Sequence, residues 1–155
     1  MQIQNFEIPV GWGQISGQIF GNAAASANSK PIIALHGFLD NSNSFKPLAS
    51  FLTQDNQYYL IALDLPGMGF SSKIPNGIPY TTKFFVMSLR RVVLHFNLRR
   101  FAFLCHSFGC SLALAVFKMT NQQRAQLNLY SNCFKIKNNI VFGVLPRRSG
   151  RLATT

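Results

Sequence analysis

Residues 101–118 read FAFLCHSFGCSLALAVFK, and the middle of that run decides the fold. Taken as one helix, residues 101–117 carry no formal charge but are slightly short for a membrane span, and they hold His106, Ser107, Gly109 and Ser111 at their centre. A buried strand over 101–105 that turns at once into a buried helix over 108–118 accounts for the same letters. That reading places Ser107 alone on a sharp strand-to-helix turn.

Working back from the turn, the pattern repeats. Residues 81–97 predict an amphipathic helix with Phe85, Leu89, Val92, Val93 and Phe96 inward and Lys83, Arg90 and Arg91 outward. Residues 58–63 are a continuous apolar run, as in a strand buried on both faces, closed by Asp64 and the glycine-rich loop at 66–69. Residues 43–53 space Phe45, Leu48, Phe51 and Leu52 at helical intervals, and residues 31–35 form another apolar strand ending in His36-Gly37. Upstream, 2–10 and 14–20 predict a hairpin about Gly11-Trp12-Gly13, and 21–30 a small, polar surface turn. Alternating strands and helices predict an α/β fold: a mostly parallel sheet with an N-terminal β-hairpin, flanking helices and right-handed crossovers. Working groups in such sheets gather at the carboxyl ends of the strands. Beyond residue 120 the pattern fades. Residues 121–155 hold six basic residues, five asparagines and no acid, with one brief apolar patch at 140–145. The expected organisation is a patterned unit over 1–120 and a basic, poorly patterned tail over 121–155.

Three strand ends carry candidate chemistry. Ser107, between strand and helix, has the setting of a nucleophile elbow, which needs small residues two positions either side. Gly109 meets that need, and Cys105 stands where a glycine is usual. The helix from Phe108 aims its N-terminal amides at developing negative charge. His36-Gly37-Phe38 offers a second donor, so the backbone N–H groups of Phe38 and Phe108 are the expected oxyanion hole. His36, Gly37, Asp40, His106 and Gly109 are expected in support, with Asp64 fixing its own glycine-rich turn. A metal site from Cys105, His106 and Cys110 fails because the elbow sends these side chains in different directions.

On those residues the chain resembles the N-terminal half of an α/β-hydrolase, with wording closest to the serine hydrolase-like protein group. The matching pieces are PVGWG (9–13), LHGFLDN (35–41), DLPGMGFSS (64–72), the Pro79-Tyr80 to Arg90-Arg91-Val92-Val93 region and HSFG (106–109). The resemblance implies hydrolysis of an ester or related acyl bond through an acyl-serine at Ser107, with no cofactor and no metal. It also implies a triad acid and histidine later in the chain. Residues 108–155 contain no Asp, Glu or His. A truncated hydrolase is therefore expected, its tail from about Asn121 arising from altered splicing or a gene-model error. His106 neighbours the serine but diverges from it, His36 suits loop support better than proton transfer, and His95 lies on the preceding helix.

Charge and cysteines bound the remaining possibilities. All four acids fall within residues 1–64, whereas residues 65–155 hold thirteen basic residues and none. The alternatives are thus an inactive hydrolase-like fragment or a basic interaction module. Dispersed charge and core-like aromatics argue against specific nucleic-acid binding. Three cysteines without framework spacing, and an N-terminus without a signal-peptide pattern, predict an intracellular, cytoplasmic setting without a transmembrane span. The expected partner is a small acyl or ester substrate, with self-association possible through a sheet edge left exposed at 101–105.

Overall fold

The hairpin at the N-terminus starts the sheet: β1 (Ile3–Val10) and β2 (Gly13–Phe20) pair antiparallel, with Val10 opposite Gly13 across the Gly11-Trp12 turn. The structure is a computed structural model and describes residues 1–22, 29–125, 135–137 and 140–142, with side chains described as far as residue 118. Most of the expected turn at 21–30, and most of the expected tail at 121–155, lie outside the described residues. β3 (Lys30–Leu35), β4 (Tyr58–Leu63) and β5 (Ala102–Cys105) complete a five-stranded sheet of order β1-β2-β4-β3-β5. β3 pairs parallel with both β4 and β5, and β2 joins β4 antiparallel. Strand order therefore reverses at β3, which opens a crevice at the carboxyl ends of β3 and β5.

Alternation along the three parallel strands builds a core on each face of the sheet. Ile33, Leu35, Ile61, Leu63, Phe103 and Cys105 face α2 (Thr82–His95) and α3 (Phe108–Ala125), meeting Phe85, Leu89, Val92 and Leu112. Ile32, Ala34, Leu60, Ala62 and Leu104 face the other way, onto Phe45 and Ala49 of the segment between β3 and β4. Thr81 caps α2 by accepting a hydrogen bond from the Phe84 N–H at 3.2 Å, and the inward and outward residues of this helix lie as its spacing predicts.

Three segments differ from the reading of the sequence. The region 43–53 is a 3-10 turn (Ser42–Phe45) running into a short α1 (Lys46–Leu52), because Pro47 can stand only in a first helical turn. Leu48 and Phe51, which share the apolar spacing, are exposed, and Ala49 takes the buried position. α3 extends to Ala125, past the expected end at residue 118. Lastly, β6 (Lys135–Lys137) and β7 (Ile140–Phe142) form an antiparallel pair in the tail, and β7 lies alongside β5 without joining its ladder. Among the described residues no helix is long and apolar enough to cross a membrane. The apolar run at 101–117 is split between β5 and α3.

Candidate active site

Ser107 occupies the two-residue break between β5 and α3 with a left-handed backbone, φ 49°. A non-glycine residue in that region costs on the order of 1 kcal/mol, so surrounding contacts must hold it there. They do. The His106 N–H donates to the Leu35 carbonyl at 3.0 Å, and the Gly109 and Cys110 N–H groups donate to the His106 and Ser107 carbonyls, each at 2.9 Å. α3 meets β3 so closely at Gly109 that any Cβ there would run into the Leu35 carbonyl. Ser107 is exposed at this tip, and no described residue hydrogen-bonds its hydroxyl.

The loop after β3 faces this tip. A Cβ on Gly37 would lie 3.5 Å from Ser107 Cβ and 3.1 Å from His106 Nδ1, so glycine lets the two loops approach. The Asp40 N–H donates to the Gly37 carbonyl at 3.3 Å, closing a turn in which Leu39 takes φ 59°. Phe38 and Leu39 are 65% and 78% exposed, forming an apolar rim to the crevice. The Phe38 and Phe108 rings meet edge to face with centroids 6.0 Å apart, which brings the loop after β3 into contact with the start of α3. Among the described residues neither the Phe38 N–H nor the Phe108 N–H donates a hydrogen bond.

The other polar groups are engaged. His36 is fully buried: Nε2 accepts from the Leu65 N–H at 3.0 Å, and Nδ1 lies 2.6 Å from the Gly37 carbonyl, which fixes a neutral ring donating through Nδ1. Burial lowers its pKa from 6.5, outweighing the opposing pull of the Gly37 carbonyl and of Asp64 and Asp40. Asp64 is buried and accepts the Ser42 N–H at 2.7 Å and the Phe70 N–H at 2.9 Å, joining the glycine-rich loop to the 3-10 turn. Asp40 accepts the Ser44 hydroxyl at 2.6 Å and the Asn41 N–H at 2.8 Å. The Ser44 hydrogen bond is the main reason its pKa falls below 3.8. His106 is exposed beside Gly37, and His95 lines a groove between the hairpin and α2. Cys105 is buried, and burial pushes its thiol pKa up, which leaves it an inert core thiol. Among the described residues no cluster of three His, Cys, Asp or Glu could hold a metal ion.

This fold is shared with known proteins. The family model described as alpha/beta hydrolase fold matches residues 30–126. The chain belongs to the α/β-hydrolase family. It is 40% identical over 107 residues to the serine hydrolase-like protein of Homo sapiens, covering 69% of this chain and 50% of that one. Against the serine hydrolase-like protein of Danio rerio it is 38% identical over 108 residues, or 70% of this chain and 31% of the other. The chain thus spans a third to a half of the length of these relatives. A hypothetical protein from Pseudomonas aeruginosa PAO1 superposes with TM-score 0.68 at 28% identity, over 78% of this chain and 40% of that one. This member of the family also contains two serines that the spacing of its motifs did not single out. Ser71 accepts the Ser16 N–H at 2.8 Å and donates to the Asp64 carbonyl at 2.6 Å, and Ser72 Oγ accepts the Gln14 N–H at 3.0 Å. They tie the glycine-rich loop to β2. Their signal in the sequence is only a pair of hydroxyls after a Gly-x-Gly turn.

Proposed function

We propose that the chain carries the acylating half of a serine hydrolase acting on an ester or related acyl bond. Ser107 Oγ adds to the substrate carbonyl as its proton passes to a general base, the N–H groups of Phe38 and Phe108 hold the oxyanion, and collapse returns that proton to the departing alcohol to leave an acyl-serine that water cleaves. The observation that supports this most directly is the left-handed Ser107 across from the Phe38 turn at the start of α3. His36, Gly37 and Asp40 shape the oxyanion turn, and Gly109 allows α3 to reach it.

Oγ must lose its proton, and this sequence offers no evident acceptor. His36 uses both ring nitrogens, His95 lies at another groove, His106 is exposed beside the serine but makes no hydrogen bond to its hydroxyl, and residues 108–155 contain no Asp, Glu or His. In this proposal the base and its orienting acid are not among the 155 residues, and the chain alone does not turn over. Without them the serine is a weak nucleophile, whereas a cysteine has some thiolate without any base. Ser107→Cys is therefore the test, using a p-nitrophenyl ester at neutral pH and locating the acyl group by peptide mass spectrometry. Acylation at position 107 about tenfold faster than at Cys110 is expected, because position 107 is exposed at the tip of the turn whereas Cys110 is half-buried in the first turn of α3. Acylation spread evenly over the cysteines would overturn the site and favour the reading of an inactive hydrolase-like fragment. Fluorophosphonate labelling of the unaltered chain, abolished by Ser107→Ala, would instead show a base within the chain.

The same proposal takes a small acyl or ester substrate and a cytoplasmic setting, supported by Cys105, a buried thiol outside any disulfide. Self-association through the β5 edge would have to displace β7, which lies alongside that edge without joining its ladder.

A further inference from the structure

At the β1 edge of the sheet, away from β5, a groove of about 820 Å³ separates the hairpin from α2. Trp12 of the hairpin turn lines one side, its ring 5.1 Å from that of Phe84. Met87, Arg90, Arg91 and Leu94 of α2 line the other. Lys83, Met87, Arg90, Arg91 and Leu94 follow i, i+4, i+7, i+8 and i+11 spacing and so share the outward face of α2, opposite the buried Phe85, Leu89 and Val92. Met87 and Leu94 are 45% and 62% exposed among these cations, and neither the groove nor α2 contains a carboxylate.

Cations around exposed apolar side chains call for a partner with anionic groups over an apolar interior. Nucleic acid would satisfy the arginines and leave Met87 and Leu94 in water. The surface of an anionic bilayer satisfies both, and tryptophan favours that boundary. We propose that the outward face of α2 and its groove dock the chain on anionic phospholipid, with Arg90 and Arg91 on the headgroups and Met87 and Leu94 entering the interface. This surface is separate from the serine site, so the proposal stands or falls independently of the acyl chemistry.

Trp12 is the only tryptophan in the sequence, which makes its emission a direct reporter. The full chain is titrated with phosphatidylcholine vesicles containing about one third phosphatidylserine, and with pure phosphatidylcholine vesicles. A blue shift and co-sedimentation with the anionic vesicles alone are expected. Each cation near such a surface contributes about fivefold in partitioning, so Arg90→Ala/Arg91→Ala should weaken binding roughly 30-fold. Leu94→Ser should weaken it with the salt dependence unchanged. Lys30→Ala/Lys46→Ala removes the same charge from exposed sites outside the groove and should leave binding within about twofold. An equal loss in that control variant would assign binding to the net charge of +11 and overturn the proposal. So would a duplex oligonucleotide that displaces the chain from vesicles with the same arginine dependence, or no binding to anionic vesicles at all.

Discussion

His36 makes stability depend on pH in a way that can be isolated. Its ring accepts from the Leu65 N–H at 3.0 Å and faces the Gly37 carbonyl at 2.6 Å, with no exposed surface. Protonation would set a new N–H against the Leu65 N–H, and burial already lowers the pKa from 6.5. The sign follows from linkage. Above pH 6.5 the ring is neutral in both folded and unfolded chains, and its contribution is fully present. As the pH falls below 6.5 the unfolded chain takes up a proton that the folded chain refuses, so stability declines until the folded pKa is reached. From about pH 7.5 to about pH 5.5 the loss is at most about 1.4 kcal/mol for this one group. His36→Asn can still donate to the Gly37 carbonyl but leaves the buried Leu65 N–H without its acceptor, a cost of about 1–3 kcal/mol near pH 7.5. It does not titrate. Urea unfolding of both chains at the two pH values, monitored by circular dichroism, should therefore show the gap between them narrowing at the lower pH. His95 and His106 remain in both chains and cancel in the difference. A gap that stays constant, or widens as the pH falls, would refute a neutral His36 clamped between the two loops.

Two further expectations concern the elbow. Gly109→Ala should cost about 1–3 kcal/mol in urea unfolding, because the new methyl runs into the Leu35 carbonyl and pushes the start of α3 away. The same shift should slow acylation of a Ser107→Cys background. Ser107→Gly should raise the urea midpoint by about 1 kcal/mol of stability, because glycine takes the left-handed φ of 49° without strain. A midpoint unchanged or lower would mean that the turn is not strained.

The regular elements were legible wherever one residue type fills one role. The run YYLIAL at 58–63 is β4 residue for residue, and the inward Phe85, Leu89 and Val92 of α2 follow from local letters. Legibility failed where the partner decides. Leu48 and Phe51 have helical apolar spacing and yet face water, because the sheet beneath α1 meets Phe45 and Ala49 instead. At the site, the strand-helix setting of Ser107 and the His36-Gly37 loop could be read as candidates from their neighbours. That Leu65 donates to His36, and that Ser71 bridges β2 to Asp64, could not, since both bonds join segments distant in sequence.

The sequence by itself determined the alternation of strands and helices, and which three loops carry glycine, histidine and serine. Apolar runs, caps and turn residues act over a few neighbours, so their consequences are written locally. It also determined that every carboxylate precedes Asp64 or is Asp64 itself, a fact of composition that no fold can alter. Tertiary structure alone decided the strand order that brings the ends of β3 and β5 together, and the left-handed φ that Ser107 is held in. It also gathered Trp12 of the hairpin and the arginines of α2 around one groove. Those outcomes depend on long-range pairing and close approach, where the preference of any one residue is small beside the packing of the whole sheet.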